Sequence, residues 1–362
     1  MPATDVLPGK RLSLADVERE AATVLDPVHA DFFAGAAGDE STARANLAAF
    51  ERIRLRPRVL RDVSARSLAT SLLGRPNSMP VLLSPTAFHR LAHPAGEPAT
   101  ARAAEAAGVT MVVSMAATTR LEEVAAHTTR PWLQLYLQPD QDFTRHLVRR
   151  AGRAGYGALV VTVDSPVFGR RERDHRNGFH DLPGGLRCEN LVDDAGVLRD
   201  IVMDAGLTWD AVARLRETTD LPILLKGVLH PDDARLAVEH GVDGLFVSNH
   251  GGRQLDGAIA TADALPGVAA VVPQGFPLIV DGGVRRGIDV VRALALGATA
   301  VGIGRPVLWG LAAAGQDGVR EVLELLRTEL DEAMALCGAR SPGELGPDVL
   351  APHLSAPTGG TA

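Results

Sequence analysis

Residues 248–257 read SNHGGRQLDG and set an imidazole, His250, three places ahead of a guanidinium, Arg253, on a backbone thinned by two glycines. A histidine takes up a proton near neutral pH, and a guanidinium grips a carboxylate through two parallel hydrogen bonds. Other residues suit the same task. Arg171 in GRR offers a second carboxylate grip, and Asp164 a carboxylate able to orient His250 and stabilise its cationic form. The stretches DGGVRRG and GIGRP combine glycines, whose N–H groups can approach an anion, with the charges of Arg285 and Arg305. The chemistry suggested is proton or hydride removal from a small carboxylic acid beside a phosphate-bearing cofactor. Standing alone, SNHGGRQLDG reads equally as a surface turn, so the elements around it decide.

Eight short runs rich in Val, Ile and Leu occupy residues 79–86, 109–115, 131–137, 157–164, 221–226, 244–249, 277–283 and 299–304. Their lack of polar interruption predicts parallel strands buried on both faces. Amphipathic segments at 98–108, 142–155, 231–241 and 287–297 lie between them, and most open with Asp or Pro and close with Gly, as helices do. Eight such units predict an α/β fold, a (β/α)8 TIM barrel over 79–340, with a doubly wound sheet as the alternative. Residues 1–78 form an N-terminal extension with helical character, and 165–220 a lid excursion between strands four and five. The middle of that excursion, DLPGGLRCENLVDDAGVLRD, is poor in large apolar residues and is expected to be mobile. The final APTGGTA reads as a frayed tail.

In such a barrel the catalytic groups come from the C-terminal ends of the strands. Gln134 and Tyr136 belong to strand three, Thr162 and Asp164 end strand four, and Lys226 ends strand five. Ser248, His250 and Arg253 follow strand six, Asp281, Gly283 and Arg285 strand seven, and Gly304 and Arg305 strand eight. All of them share one rim.

Composition narrows the partners. A net charge of −7 leaves no basic field for nucleic acid or anionic lipid. Cys188 and Cys337, without CxxC spacing, argue against a disulfide framework and against a structural zinc site, and no metal is expected. The N-terminus lacks a signal-peptide pattern, and no run approaches the ~20 apolar residues of a membrane helix. A single cytoplasmic domain over 1–362 is expected. Of 37 basic residues only Lys10 and Lys226 are lysines, so Lys226 in the apolar LPILLKG stands out from its arginine background.

SNHGGRQLDG, LPILLKGV, LIVDGGVRRGIDVVRALALGA and IGRPVLW closely resemble the FMN-dependent 2-hydroxy-acid oxidases and dehydrogenases, over about residues 12–345. The resemblance implies a barrel that binds FMN and oxidises an (S)-2-hydroxy acid to the 2-keto acid, working as a homo-oligomer, tetramer or octamer. It implies His250 as base, Tyr136 on the substrate hydroxyl, Arg171 and Arg253 on its carboxylate, and Lys226 beside the flavin N1 and C2=O. Ser114, Gln134, Thr162 and Ser248, with the backbone of Pro85, Thr86 and Ala87, match flavin-ring contacts. Asp281, Gly283, Arg285, Gly304 and Arg305 match the ribityl and phosphate site.

Three departures stand out. DFFAGAA replaces the family's DYYASGA, so Phe32 stands where a tyrosine contacts the carboxylate, and Ala116 stands where glycolate oxidase has a tryptophan. The lid is also shorter and less apolar than in membrane-anchored relatives. An enlarged, apolar pocket implies an aryl substrate, mandelate or 4-hydroxymandelate. LAHPAGEPATA and LAAAGQDGVREVLELL resemble the family's hydroxymandelate-oxidising members. Ala87, where dehydrogenases often carry Gly, implies O2 as acceptor and H2O2 as product. Quinone-linked dehydrogenation, an aliphatic acid such as lactate or glycolate, and FMN binding without turnover are the alternatives.

Overall fold

The computed structural model describes residues 11–193 and 195–352; Lys10 and the APTGGTA tail lie outside the described residues. Three helices lead, α1 (Leu14–Val24), α2 (Pro27–Ala34) and α3 (Ser41–Arg52). Capping chemistry sets the first two starts. Ser13 accepts from the Asp16 N–H ahead of α1, and Asp26 accepts from Val28 N–H while Pro27 fills a position whose N–H has no helical partner. An antiparallel hairpin follows, β1 (Thr70–Leu72) and β2 (Arg75–Asn77). Its three-residue strands are too short to leave a periodic signal in the sequence.

The barrel strands are β3 (Val81–Leu83), β4 (Val112–Ser114), β5 (Trp132–Leu135), β6 (Ala158–Thr162), β7 (Ile223–Val228), β8 (Gly244–Val247), β9 (Leu278–Asp281) and β10 (Ala300–Ile303). Each falls within one of the eight apolar runs, save that β7 continues two residues past the end of its run. All pair in parallel, in the order β3-β10-β9-β8-β7-β6-β5-β4, and a parallel bridge from Leu83 to Met111 returns β3 to β4. That bridge closes the sheet. A doubly wound sheet keeps two open edges, so this alternative falls.

Side chains alternate across a strand with period two. One row, Leu82, Val112, Trp132, Val160, Leu224, Phe246, Ile279 and Ala300, packs inward as a separate apolar cluster, to which the hairpin adds Leu72. The alternate row, including Val81, Val113, Leu133, Val161, Leu225 and Val280, packs against the surrounding helices. Two residues on from the inward row stand Ser84, Ser114, Gln134, Thr162, Lys226, Ser248, Asp281 and Gly302. The same strands therefore carry a greasy plug below and a polar ring above.

The excursion after β6 holds a short helix, Glu172–Arg176, and a single turn, Glu189–Leu191, before the barrel helix Trp209–Arg216. Its middle, expected from composition to be mobile, is anchored by Asn190. That fully buried amide accepts from Leu121 N–H (2.7 Å), and its own carbonyl accepts from Arg150 (3.2 Å). Among the described residues no helix is long and apolar enough to cross a membrane, and no cluster of His, Cys, Asp and Glu suits a metal ion.

Candidate active site

A cavity of about 360 Å³ opens above the polar ring. Ser114 Oγ donates to Gln134 Oε1 (3.2 Å), and Gln134 Nε2 donates to Thr162 Oγ1 (3.1 Å), so three neighbouring strand ends hold one another. Across the barrel Ser84 Oγ donates to Asp281 Oδ2 (3.1 Å), and Lys226 Nζ lies 3.9 Å from the same oxygen. Lys226 and Asp281 are 4% and 6% exposed, yet Asp281 Oδ1 has no hydrogen-bond partner among the described residues. A buried carboxylate oxygen is costly to leave unpaired, so it calls for a hydroxyl from a ligand. Pro85, Thr86 and Ala87 after β3 and Gly283 after β9 complete this wall.

The anion end lies after β9 and β10. Gly304 heads the helix Arg305–Cys337, which is broken at Ala314–Gly315, and no side chain caps that start. Unsatisfied N–H groups at a helix start, with Arg285 and Arg305 beside them, favour a phosphate. Arg285 stacks on Trp309 at 4.8 Å and is held below the usual guanidinium range by burial. Burial and then Arg285 lower Arg305 to about 10. Arg305 also donates to the carbonyls of Phe33, Gly35 and Gly251, tying α2 to the rim. An unpaired acceptor, a chain of ring-edge amide and hydroxyl groups, a buried lysine and a cationic helix start together fit FMN.

The opposite wall carries the acid–base groups. His250 Nδ1 lies 3.0 Å from Asp164 Oδ1; the carboxylate is the acceptor, so Nδ1 carries the proton and Nε2 faces Tyr136 Oη at 3.5 Å. The two rings are parallel, 6.5 Å apart. Asp164 reaches His250 because Gly227 makes room: a Cβ there would stand 2.5 Å from Asp164 Cβ. Burial alone would raise the Asp164 pKa, but His250 and Lys226 outweigh it and hold it at about 2. His250 is lowered from 6.5, first by burial and next by Lys226, with Asp164 opposing. Burial and Asp164 push Tyr136 well above the usual phenol range, so its hydroxyl stays a donor. Arg253 falls to about 9 through burial and its neighbours Arg171 and Arg305. Its Nη1 donates to the carbonyls of Phe32 and Gly35, both at 2.8 Å. These lie at the negative end of α2, where a buried cation is stabilised.

Nearly every residue singled out in the sequence lines this one cavity. Asp164 is not part of the lining and lies behind His250. Ser248 is fully buried beneath it, its Oγ accepting from His250 N–H (3.2 Å). Phe32 is 8% exposed, stacked on Phe88 (5.4 Å), tilted against Phe179 (5.0 Å), and capped by the Arg253 guanidinium at 5.0 Å. Phe88, Phe179, Asp174 and Ser84 also line the cavity and were not foreseen. Ser84 and Gly302 follow from the period-two rule applied to the inward row, whereas Phe179 and Asp174 sit in the lid and leave no periodic trace.

The FMN-dependent dehydrogenase family model matches residues 21–352. An L-lactate oxidase of Nostoc sp. is 49% identical, covering 90% of this chain and 94% of its own. A 4-hydroxymandelate oxidase of Amycolatopsis orientalis is 47% identical (92% and 96%), and human 2-hydroxyacid oxidase 1 is 45% identical (91% and 94%). Among solved structures, mandelate oxidase with (S)-2-phenylpropionate superposes with a TM-score of 0.88 at 46% identity, over 94% of this chain and 98% of that one. With a closed parallel barrel, a cavity that fits FMN and this degree of likeness, the chain belongs to the FMN-dependent dehydrogenase family and is an FMN-dependent 2-hydroxyacid oxidase.

Proposed function

We propose that the enzyme oxidises an aryl (S)-2-hydroxy acid, mandelate or 4-hydroxymandelate, to the 2-keto acid and passes the electrons to O2, forming H2O2. The observation that carries this reading is the apolar lining of the cavity, in which Phe88 and Phe179 pack on Phe32 and Ala116 contributes only a methyl group. Aromatic pairs favour such stacked and tilted arrangements, and a phenyl ring extends the cluster. The 4-hydroxymandelate oxidase relative, and the mandelate oxidase structures with (S)-2-phenylpropionate and benzoyl-formic acid, support it. The L-lactate oxidase relative favours a second reading, a small aliphatic acid.

Bound FMN supplies the electron-pair acceptor. Arg171, half-buried beside Asp174, and Arg253 attract the substrate carboxylate. Tyr136, kept protonated, donates to the substrate hydroxyl. His250 Nε2 accepts one proton as the substrate loses two hydrogens, whichever bond breaks first, and Asp164 stabilises the resulting imidazolium. Lys226, buried in the polar ring, would offer its ammonium group to the bound cofactor. Ala87, which lines the cavity, supports O2 as acceptor, and the enzyme would work in the cytoplasm as a homo-oligomer. The test is anaerobic bleaching of the flavin by glycolate, L-lactate, both mandelate enantiomers and 4-hydroxymandelate, followed by admission of air. Fastest bleaching by an (S)-aryl acid with prompt peroxide formation is expected. Fastest bleaching by lactate or glycolate assigns the aliphatic reading, and recovery only with a quinone removes O2 as acceptor.

A further inference from the structure

We infer that Asn46, on α3 of the N-terminal extension, is a positioning residue that holds the His250 backbone in its working conformation. The inference rests on His250 being the base. His250 (φ 58°), Gly251 (φ 64°) and Gly252 (φ 80°) are three successive left-handed residues. Two are glycines, for which this is free, but His250 carries a Cβ and adopts it only if its surroundings impose it. The fastening is visible one residue earlier. Asn249 Oδ1 accepts from Gly252 N–H (3.2 Å), closing the turn. Asn46 then grips Asn249 face to face: Asn46 Nδ2 donates to Asn249 Oδ1, and Asn249 Nδ2 donates to Asn46 Oδ1, both at 2.8 Å.

Both amides are buried, 2% and 5% exposed, and each makes a further hydrogen bond. Asn46 Oδ1 accepts from Thr261 N–H (3.1 Å) and Asn249 Nδ2 donates to the Ile259 carbonyl (3.1 Å). The turn lies flush on α3, since a Cβ on Gly252 would stand 2.7 Å from the Ala43 backbone nitrogen. A buried, reciprocally bonded network of this kind favours one arrangement, and here it dictates where the imidazole begins. Asn46 touches neither His250 nor the acid. It acts through Asn249.

The test uses the FMN-loaded protein with Asn46→Ala and, should that variant fold poorly, Asn46→Asp, which keeps the acceptor and loses the donor. A small misplacement of the base lowers the flavin-reduction rate constant, expected by roughly tenfold to a hundredfold. The substrate dissociation constant should stay within about threefold, because Asn46 does not reach the acid-binding groups; since Asn46 also packs against Gly282 and Gly283 of the flavin wall, rates are compared with FMN saturating. The acid limb of the rate–pH profile should shift as well, since the groups facing His250, namely Asp164, Lys226, Arg253 and Tyr136, no longer meet it at fixed distances. A variant that melts earlier yet keeps the native reduction rate and acid limb overturns the inference, leaving Asn46 a purely structural residue. His250→Ala run in parallel separates the cases: if it still reduces flavin normally, the reading of the base has failed instead.

Discussion

The flavin wall of the cavity is carried by strand ends, whereas the acid wall is carried by loops, the lid and the N-terminal helices. Ser114, Gln134, Thr162, Lys226 and Asp281 each sit two residues beyond an inward apolar residue, so the barrel that buries the plug also aims the polar ring. Burying each large side chain of that plug contributes roughly 1.5–3 kcal/mol, and the ring inherits its rigidity. On the acid wall no single element dictates position. His250 stands on a left-handed turn, Arg253 is held by carbonyls at the end of α2, and Phe32, Phe88 and Phe179 arrive from three separate segments. The flavin side is thus anchored in the barrel, whereas the base and the groups that meet the acid depend on loops and helices packed over its rim.

The contrast breaks most sharply at His250. His250→Ala should retain FMN, because the strand-borne ring is untouched, while anaerobic reduction by substrate in stopped flow falls by roughly 10²–10⁴-fold. Retained reduction would move the base elsewhere. Asp164→Asn should cost less, on the order of 10²-fold, since the geometry survives but the imidazolium loses its counter-charge. The neutral imidazole is the active form, and Asp164 raises its pKa against the lowering by burial and Lys226. Removing that charge lowers the pKa further, so the acid limb of kcat/KM should move to lower pH. A limb that moves upward would contradict the assignment. Phe32→Tyr restores a hydroxyl near Arg253 and should lower KM for glycolate by roughly threefold to tenfold, the worth of one hydrogen bond, with less change for (S)-mandelate. Equal changes for both acids would show that the hydroxyl does not reach the carboxylate.

Legibility in the sequence follows the same division. The eight apolar runs, and the polar residues at their ends, could be read because period two ties a strand's face to its order in the chain. Closure, expected from the eight evenly spaced units, is completed by the Leu83–Met111 bridge. The hairpin was too short to register, and Asn190 hid its anchoring role in a stretch of loop-like composition. Asn46 and Asn249 lie 203 residues apart and meet only because α3 packs on the rim. Nothing in their spacing announces the pair.

The most direct test of the division is the ratio of flavin-reduction rate constants for (S)-mandelate and glycolate, measured anaerobically in the native enzyme and in Ala116→Trp. A ratio well above one is expected in the native enzyme and should collapse in the variant, with FMN bound equally in both. A native ratio below one, or a ratio that the tryptophan leaves unmoved, would show that the aryl group does not lie against Ala116 and that the pocket is not built for it.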